Sequence, residues 1–324
     1  MTKSVWGIVP ERILKMGTRG SLLAKTQSGM VAENLATQTG YAIEAVIIRT
    51  EGDDTSTSLT KAARPGVFVS TLRSALLSGD VDFIVHSFKD LPSRPEPGIT
   101  LAAVPEREDH RDAIVSKNGD GLSELPAGAR VGTSSPRRAA RIKFLRPDLE
   151  VSPIRGNIDS RLSKVKNGEY DATLLAVAGL NRVGLSAEIN QVLTIEELLP
   201  APAQGALAIE CRADDLELIE ALAILNDPLT RLITTAERAV LVGIGASCAT
   251  AIGSYAEYSG DSLSLVCELS DPETNEHERV SKTIKGVNVE SLSEAYQLGM
   301  VAAHQLLSTD LGRRIGNPAV SEND

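Results

Sequence analysis

Arginines placed at the junctions between strands and helices are the chemically pointed feature of this chain. The stretch 130–162 carries eight cations (Arg130, Arg137, Arg138, Arg141, Lys143, Arg146, Arg155, Arg161) against three acids, inside a chain whose formal charge is -10. Val131 and Gly132 read as a strand end, Thr133, Ser134 and Ser135 supply capping hydroxyls, and Pro136 suits the first helical position. Arg137 and Arg138 then fall in the opening turn of a helix, where a cation opposes the helix dipole. That placement makes sense if an anion occupies the space in front of the helix. The grammar repeats: 151–154 reads as a strand, Arg155 and Gly156 as a turn, Asn157 as a cap, and Arg161 lies one turn into the next helix. Arg141, Lys143 and Arg146 read instead as a solvated basic face.

Two more junctions carry an arginine. Gly17-Thr18-Arg19-Gly20-Ser21 follows a strand over 12–18, and Arg182 follows an apolar strand over 171–177. A buried strand over 82–85 runs into His86-Ser87-Phe88-Lys89-Asp90, so Ser87, Lys89 and Asp90 sit at its carboxyl end, where open α/β sheets place ligands. Asp90 can act on a ligand there or merely cap the turn into Pro92. His86 is given no role. Cys211, Cys248 and Cys267 form neither a disulfide framework nor a paired zinc motif. Cys211 and Cys267 read as inert thiols, whereas Cys248, in the Gly-rich stretch GIGASCATAIG, is either inert or a covalent anchor.

The elements that must position these groups follow from periodicity. Apolar Leu22, Leu23, Met30, Val31 and Leu35 partly follow helical spacing, 45–48 reads as a strand, and 51–66 as a mobile polar loop. A helix over 67–77, strands near Leu101 and Ala113, and a proline-rich linker over 199–205 holding Gln204 lead to a strand over 206–210. The βα alternation over 12–210 predicts parallel sheets wound with helices, in two lobes with a ligand cleft between them. From Leu229 a long helix, three antiparallel strands and a closing helix over 289–307 read as a small α+β third domain. The tail after Gly316 is expected to fray.

Composition narrows the function classes. At 324 residues, with 42% hydrophobic and 23% charged residues, the chain has the makeup of a soluble globular protein of two or three domains. No window approaches a membrane span and no signal peptide is evident, so the expected compartment is the cytoplasm. The acid excess and 3% aromatic content argue against nucleic acid, and four scattered histidines offer no metal site. Small anions are the expected ligands, and no long apolar stripe calls for more than a monomer.

Taken jointly, GTRGS (17–21), VHSFKDLP (85–92), REDHRDA (107–113), VGTSSPRR (131–138), RGNIDSRL (155–162), LAVAGL (175–180), PAQGALAIECR (202–212) and AERA (236–239) ahead of Cys248 resemble the hydroxymethylbilane synthases, or porphobilinogen deaminases, over roughly 12–307. The resemblance implies two periplasmic-binding-protein-like α/β lobes with mainly parallel sheets, lobe 1 over 1–105 and 205–227, lobe 2 over 106–204, and an α+β C-terminal domain over 228–324. It implies a dipyrromethane cofactor in thioether linkage to Cys248, onto which four porphobilinogen units are joined with loss of ammonia before water releases the tetrapyrrole. No metal is implied. Carried over by motif, Asp90 is the catalytic carboxylate. Ser87, Lys89, Thr133, Ser134, Ser135, Arg137, Arg138, Gly156 and Arg161 go to the cofactor, and Arg19, Ser21, Arg155, Arg182 and Gln204 to the substrate. Planar guanidinium matches the acetate and propionate arms of each pyrrole.

Two departures stand out. Ala63-Arg64-Pro65-Gly66 replaces the Gly-Gly-Lys-Gly of many relatives, and Ala246-Ser247 replaces Gly-Gly before the cysteine. Two other classes fit parts of the pattern: a two-lobed anion-binding protein, and an acyl or phosphoryl transferase using Ser134 or Ser135. The third domain and Cys248 speak against the first, and the lack of a nearby Gly-x-Ser-x-Gly turn or histidine partner against the second.

Overall fold

The computed structural model describes residues 12–48, 67–246 and 250–315. The loop expected over 51–66, the departures at Arg64 and Ser247, Cys248 and the tail after Gly316 lie outside the described residues.

The first elements are β1 (Ile13–Thr18), α1 (Leu22–Thr39), β2 (Ala42–Ile47), α2 (Val67–Leu77), β3 (Phe83–Ser87) and β4 (Ile99–Ala103). The chain then crosses to β5 (Asp112–Ser116), β6 (Arg130–Gly132), α3 (Pro136–Leu145), β7 (Glu150–Ser152), α4 (Ile158–Lys166), β8 (Ala172–Ala176), α5 (Val177–Arg182) and β9 (Gln191–Val192). It crosses back to β10 (Leu207–Arg212) and α6 (Leu216–Ala223). The last part comprises α7 (Pro228–Ile244), β11 (Ala251–Ser259), β12 (Ser262–Ser270), β13 (His277–Lys285), α8 (Leu292–Ser308) and α9 (Asp310–Ile315).

Two five-stranded sheets repeat one plan, β2-β1-β3-β10-β4 and β7-β6-β8-β5-β9. In each, the first three strands are parallel and the fourth runs antiparallel to both its neighbours. The α/β class therefore holds, with mixed sheets: the parallel half is what the βα alternation foretold, and the reversed strand is the one that crosses between sheets. The first sheet is completed by β10 only after the chain has traversed the second, and buries Leu14, Met16, Phe83, Val85 and Ile209. Each such side chain contributes roughly 1.5–3 kcal/mol.

Helix α1 starts where Ser21 accepts from the Ala24 N–H at 3.3 Å. Its inward face is Gln27, Ser28, Val31 and Leu35, while Leu22 and Met30, expected on the apolar stripe, are about half exposed. The polar pair has a partner inside: Ser28 Oγ donates to Thr18 Oγ1 at 2.8 Å, tying helix to strand.

The third sheet is the antiparallel meander β11-β12-β13, covered by α7 and α8 around Leu232, Val240, Leu265 and Leu298. The two helices touch through small residues, since a Cβ on Gly299 would lie 2.3 Å from the Ala236 carbonyl oxygen. The crossing over 199–205, linker-like in composition, is almost wholly buried. The third domain covers it: Ser254 N–H donates to the Pro200 carbonyl at 3.0 Å, and Gly253 leaves room for Leu199. Gly205 within it has φ +91° and a Cβ there would lie 2.3 Å from the Glu108 carbonyl oxygen, so the two crossing strands approach where only glycine fits. Among the described residues, no helix is long and apolar enough to cross a membrane.

Candidate active site

Strand polarity brings the candidate residues to two sheet edges. β1 and β3 run parallel, so Arg19, Ser21, Ser87, Lys89 and Asp90 follow carboxyl ends on one edge of the first sheet. Leu207 of reversed β10 pairs with Ser87, which sets Gln204 at that same edge. In the second sheet, parallel β6, β7 and β8 put Thr133–Ser135, Arg155–Gly156 and Arg182 beyond their carboxyl ends. Asp112 opens reversed β5 opposite Ala176, and so joins them.

At the meeting of these edges is a cationic cluster built on a single buried carboxylate. Asp112 is fully buried; Arg137 Nη1 lies 2.8 Å from its Oδ2, and Arg138 Nη2 donates to its Oδ1 at 2.5 Å. Gln204 Nε2 donates to the same Oδ1 at 3.1 Å and Gln204 Oε1 accepts from Lys89 Nζ at 3.1 Å. One amide therefore connects the lysine of the first sheet to the carboxylate of the second. Burial on its own would raise Asp112, but Arg137 and Arg138 overcome it and hold the group well below the usual carboxylate range. Burial lowers Lys89 to about 8, with Asp90 opposing and Arg138 reinforcing the shift. Burial also lowers Arg161, again with Arg138 reinforcing and Asp90 opposing, which places Arg161 within electrostatic reach of both.

Ser135 caps α3 by accepting from Arg138 N–H at 3.4 Å, with Pro136 at the first helical position, as the sequence foretold. The carboxylate facing that turn belongs to the protein itself, however, and Arg137 and Arg138 are each under a tenth exposed. Thr133 is buried and its hydroxyl accepts from Ser135 N–H, while Ser134 Oγ donates to the Ile154 carbonyl. Ser87 Oγ donates to Gln27 Oε1 at 3.0 Å. Gly156 adopts φ +114° at the entrance to α4, whose cap is Asn157, and Arg161 Nε donates back to its carbonyl at 2.8 Å. Arg155 and Asp90 are exposed, and Arg19 and Ser21 half-buried. Arg182 donates to the Gly205 carbonyl at 2.6 Å and lines a cavity of about 540 Å³ with Met30, Arg107 and Glu108, so it is tied to the crossing strand.

The solvated-face reading of Arg141, Lys143 and Arg146 is corrected. Arg141 is buried and donates to the Glu197 and Glu196 carbonyls, Lys143 reaches the Pro272 carbonyl in the third domain, and Arg146 donates to the Leu122 and Leu125 carbonyls. These long side chains satisfy backbone oxygens that packing would otherwise strand.

The third domain buttresses the site through two consecutive residues of α7. Glu237, fully buried, takes Arg107 bidentately at 2.7 and 3.0 Å and also accepts from the Ala203 and Ala256 amides at 2.7 and 2.9 Å. Arg107 Nε in turn donates to the Gln204 carbonyl at 2.8 Å, so both crossings meet there. Arg238 donates to the Phe88, Leu91 and Pro92 carbonyls at 2.9, 3.1 and 2.7 Å. Asp112, Arg107, Glu237 and Arg238 were given no role from the sequence. For Asp112, Glu237 and Arg238 a detectable signal existed: a charged residue beginning or interrupting an otherwise apolar strand or helix. Cys211 and Cys267 are buried, and burial pushes their thiols up to about 11 and about 12, as befits unreactive groups.

Residues 14–220 match the family model described as porphobilinogen deaminase, dipyromethane cofactor binding domain, and residues 232–308 match that of the porphobilinogen deaminase C-terminal domain. Similar proteins include porphobilinogen deaminase of Thermobifida fusca, 43% identical over 96% of this chain and 98% of that one. That of Nocardia farcinica is 46% identical over 93% of this chain and 87% of its own length. Porphobilinogen deaminase 1 of Streptomyces coelicolor is 49% identical over 78% and 80%. Among solved structures, an arginine-specific periplasmic binding protein of Salmonella typhimurium aligns with 12% identity and a TM-score of 0.40, over 68% of this chain and 93% of that one.

Proposed function

The chain belongs to the porphobilinogen deaminase family, the transferases that make hydroxymethylbilane in tetrapyrrole synthesis, and on that premise we propose which of its residues perform the reaction. The observation that carries the assignment is the excess of positive charge: Lys89, Arg137 and Arg138 act on one buried acid, Asp112, and Arg161 lies within electrostatic reach of Arg138 and Asp90. Such a donor set fits a ligand that brings several carboxylates of its own, which is what a dipyrromethane cofactor and its growing chain present. Lys89, Arg137, Arg138 and Arg161, with Ser87, Thr133, Ser134, Ser135 and Gly156 around them, hold the cofactor. Arg19, Ser21, Arg155, Arg182 and Gln204 serve the incoming porphobilinogen. When bound, through a thioether to Cys248, the dipyrromethane supplies the pyrrole carbon that is extended.

Asp90 is the catalytic carboxylate. It stands exposed at the edge of the first sheet, and positive charge developing on a pyrrole nitrogen as ammonia departs is stabilised by a fixed anion facing the N–H. Lys89 and the arginines hold the acidic arms in register so that each new unit meets the same carboxylate. The lobes are residues 1–105 with 205–227 and 106–204, the third domain is 228–324, and the protein works as a cytoplasmic monomer. The separate sheets and the buried double crossing support the domain division.

Intact mass spectrometry tests the assignment. Purified protein should outweigh its polypeptide by one dipyrromethane and gain mass in steps when porphobilinogen is added; Cys248→Ala should show neither. Asp90→Ala should keep the added mass and lose turnover. A bare polypeptide that stays inert with porphobilinogen would refute the covalent cofactor, and a near-native Asp90→Ala rate would remove that residue from catalysis.

A further inference from the structure

Among the described residues, none donates a hydrogen bond to the Asp90 carboxylate, and Lys89 and Arg161 act on it only at electrostatic range. Its location depends on the backbone of the short turn Phe88–Asp90, a single 3₁₀ turn closed by Leu91 N–H to the Phe88 carbonyl at 3.2 Å. A single turn of this kind is weak by itself. What grips it comes from the third domain. The Arg238 guanidinium donates to the carbonyls immediately before and after the Lys89-Asp90 pair, Phe88 and Leu91, and to Pro92 beyond them. The same guanidinium stacks on the Phe88 ring at 4.5 Å, and that ring is buried.

The other end of this strut is equally fixed. Arg238 follows Glu237 on α7, and Glu237 is locked by Arg107 and by the Ala203 and Ala256 amides. Successive residues on a helix point about 100° apart, so one turn of α7 braces the crossing strands with the acid and the Asp90 turn with the base. We infer that Arg238 is a positioning residue of the synthase reaction, which sets where the Asp90 carboxylate stands by clamping the backbone on both sides of it. The inference rests on the catalytic role proposed for Asp90. It makes the third domain a part of the catalytic geometry in addition to its place as carrier of Cys248.

The test compares Arg238→Gln, Arg238→Lys and Asp90→Ala as purified holoproteins, each checked by mass for its cofactor. Arg238→Gln removes the clamp, and a misplacement of about 1 Å costs on the order of 100-fold in rate; kcat should fall by that order while KM for porphobilinogen changes less than about twofold. Arg238→Lys keeps a cation over the Phe88 ring but cannot reach three carbonyls at once, and should lose about tenfold. It also serves as the measured variant if Arg238→Gln does not fold. A merely structural arginine would lower the melting temperature and leave kcat of the folded protein native. Native kcat in the Arg238 variants beside an impaired Asp90→Ala overturns the inference alone, as does a loss confined to KM. Native turnover in Asp90→Ala overturns the reading beneath it.

Discussion

Removing the Glu237 side chain is the perturbation whose cost can be worked most fully from the structure. The carboxylate is fully buried and accepts four hydrogen bonds, two from Arg107 and one each from the Ala203 and Ala256 amides. Deleting one member of a buried ion pair costs about 3–5 kcal/mol, because the other charge stays behind unpaired. Each stranded amide adds about 1–3 kcal/mol, less what an entering water restores. Glu237→Ala should therefore lose at least about 4 kcal/mol. At about 2–4 °C per kcal/mol for larger domains, the melting temperature falls by about 8–16 °C. Glu237→Gln keeps the shape and one acceptor oxygen but turns an NH2 group toward a donor, and should lose roughly half as much. Scanning calorimetry at neutral pH measures both. Arg107→Ala in the Glu237→Ala background should cost far less than in the parent, since the partner is already gone. A Glu237→Ala melt within about 2 °C of the parent, or additive costs in the double variant, would refute the reasoning.

Three predictions concern titration. Lys89 holds its charge only below about 8, so its grip on the acidic arms of the cofactor weakens and kcat should fall as pH increases through that value, and Lys89→Arg should carry the charge through and shift this limb upward. An unchanged limb in Lys89→Arg would assign it to another group. The depressed lysine also works against the fold at neutral pH, because the unfolded chain keeps the proton more firmly; Lys89→Met should melt higher at pH 7, by an amount that shrinks as pH rises past about 8. For Asp112 the sign is opposite. Its folded value is depressed, so its contribution is complete above the unfolded carboxylate value of about 4 and is lost as pH falls through the lower folded value. Urea titrations should show the gap between parent and Asp112→Asn wide at pH 6 and narrowing below pH 4; a constant gap would count against the ion pair as its origin.

Local grammar was readable in the sequence. Ser135 and Asn157 cap the helices that follow them, and the parallel halves of both sheets follow from strand and helix alternation. The reversed strands were not readable as such, because a run like LAIECR looks the same in either direction; only its pairing with β3 and β4 gives the sense. Partners distant in sequence were likewise hidden. Their place in the opening turn of a capped helix marks Arg137 and Arg138 as anion readers, but that Asp112 is one of the anions is settled by where β5 begins, 26 residues before Arg138. Arg141 looked solvated because Arg141, Lys143 and Arg146, closely spaced, resemble a surface face, and it is buried because Glu196 and Glu197 present carbonyl oxygens to it across the fold.

The return of β10 to the first sheet bears on how the protein is made. β10 stands between β3 and β4, so β4 has no hydrogen-bonded neighbour until residues about a hundred positions further along have emerged from the ribosome. At about 5–20 residues per second, the open flanks of β3 and β4 wait for roughly 5–20 s. Meanwhile β5 to β9 emerge as one uninterrupted stretch and can form their sheet unaided. The amino-terminal portion is therefore synthesised first yet completed second, and the interval in which its unfinished edges could meet those of a neighbouring nascent chain is written into the order of its strands.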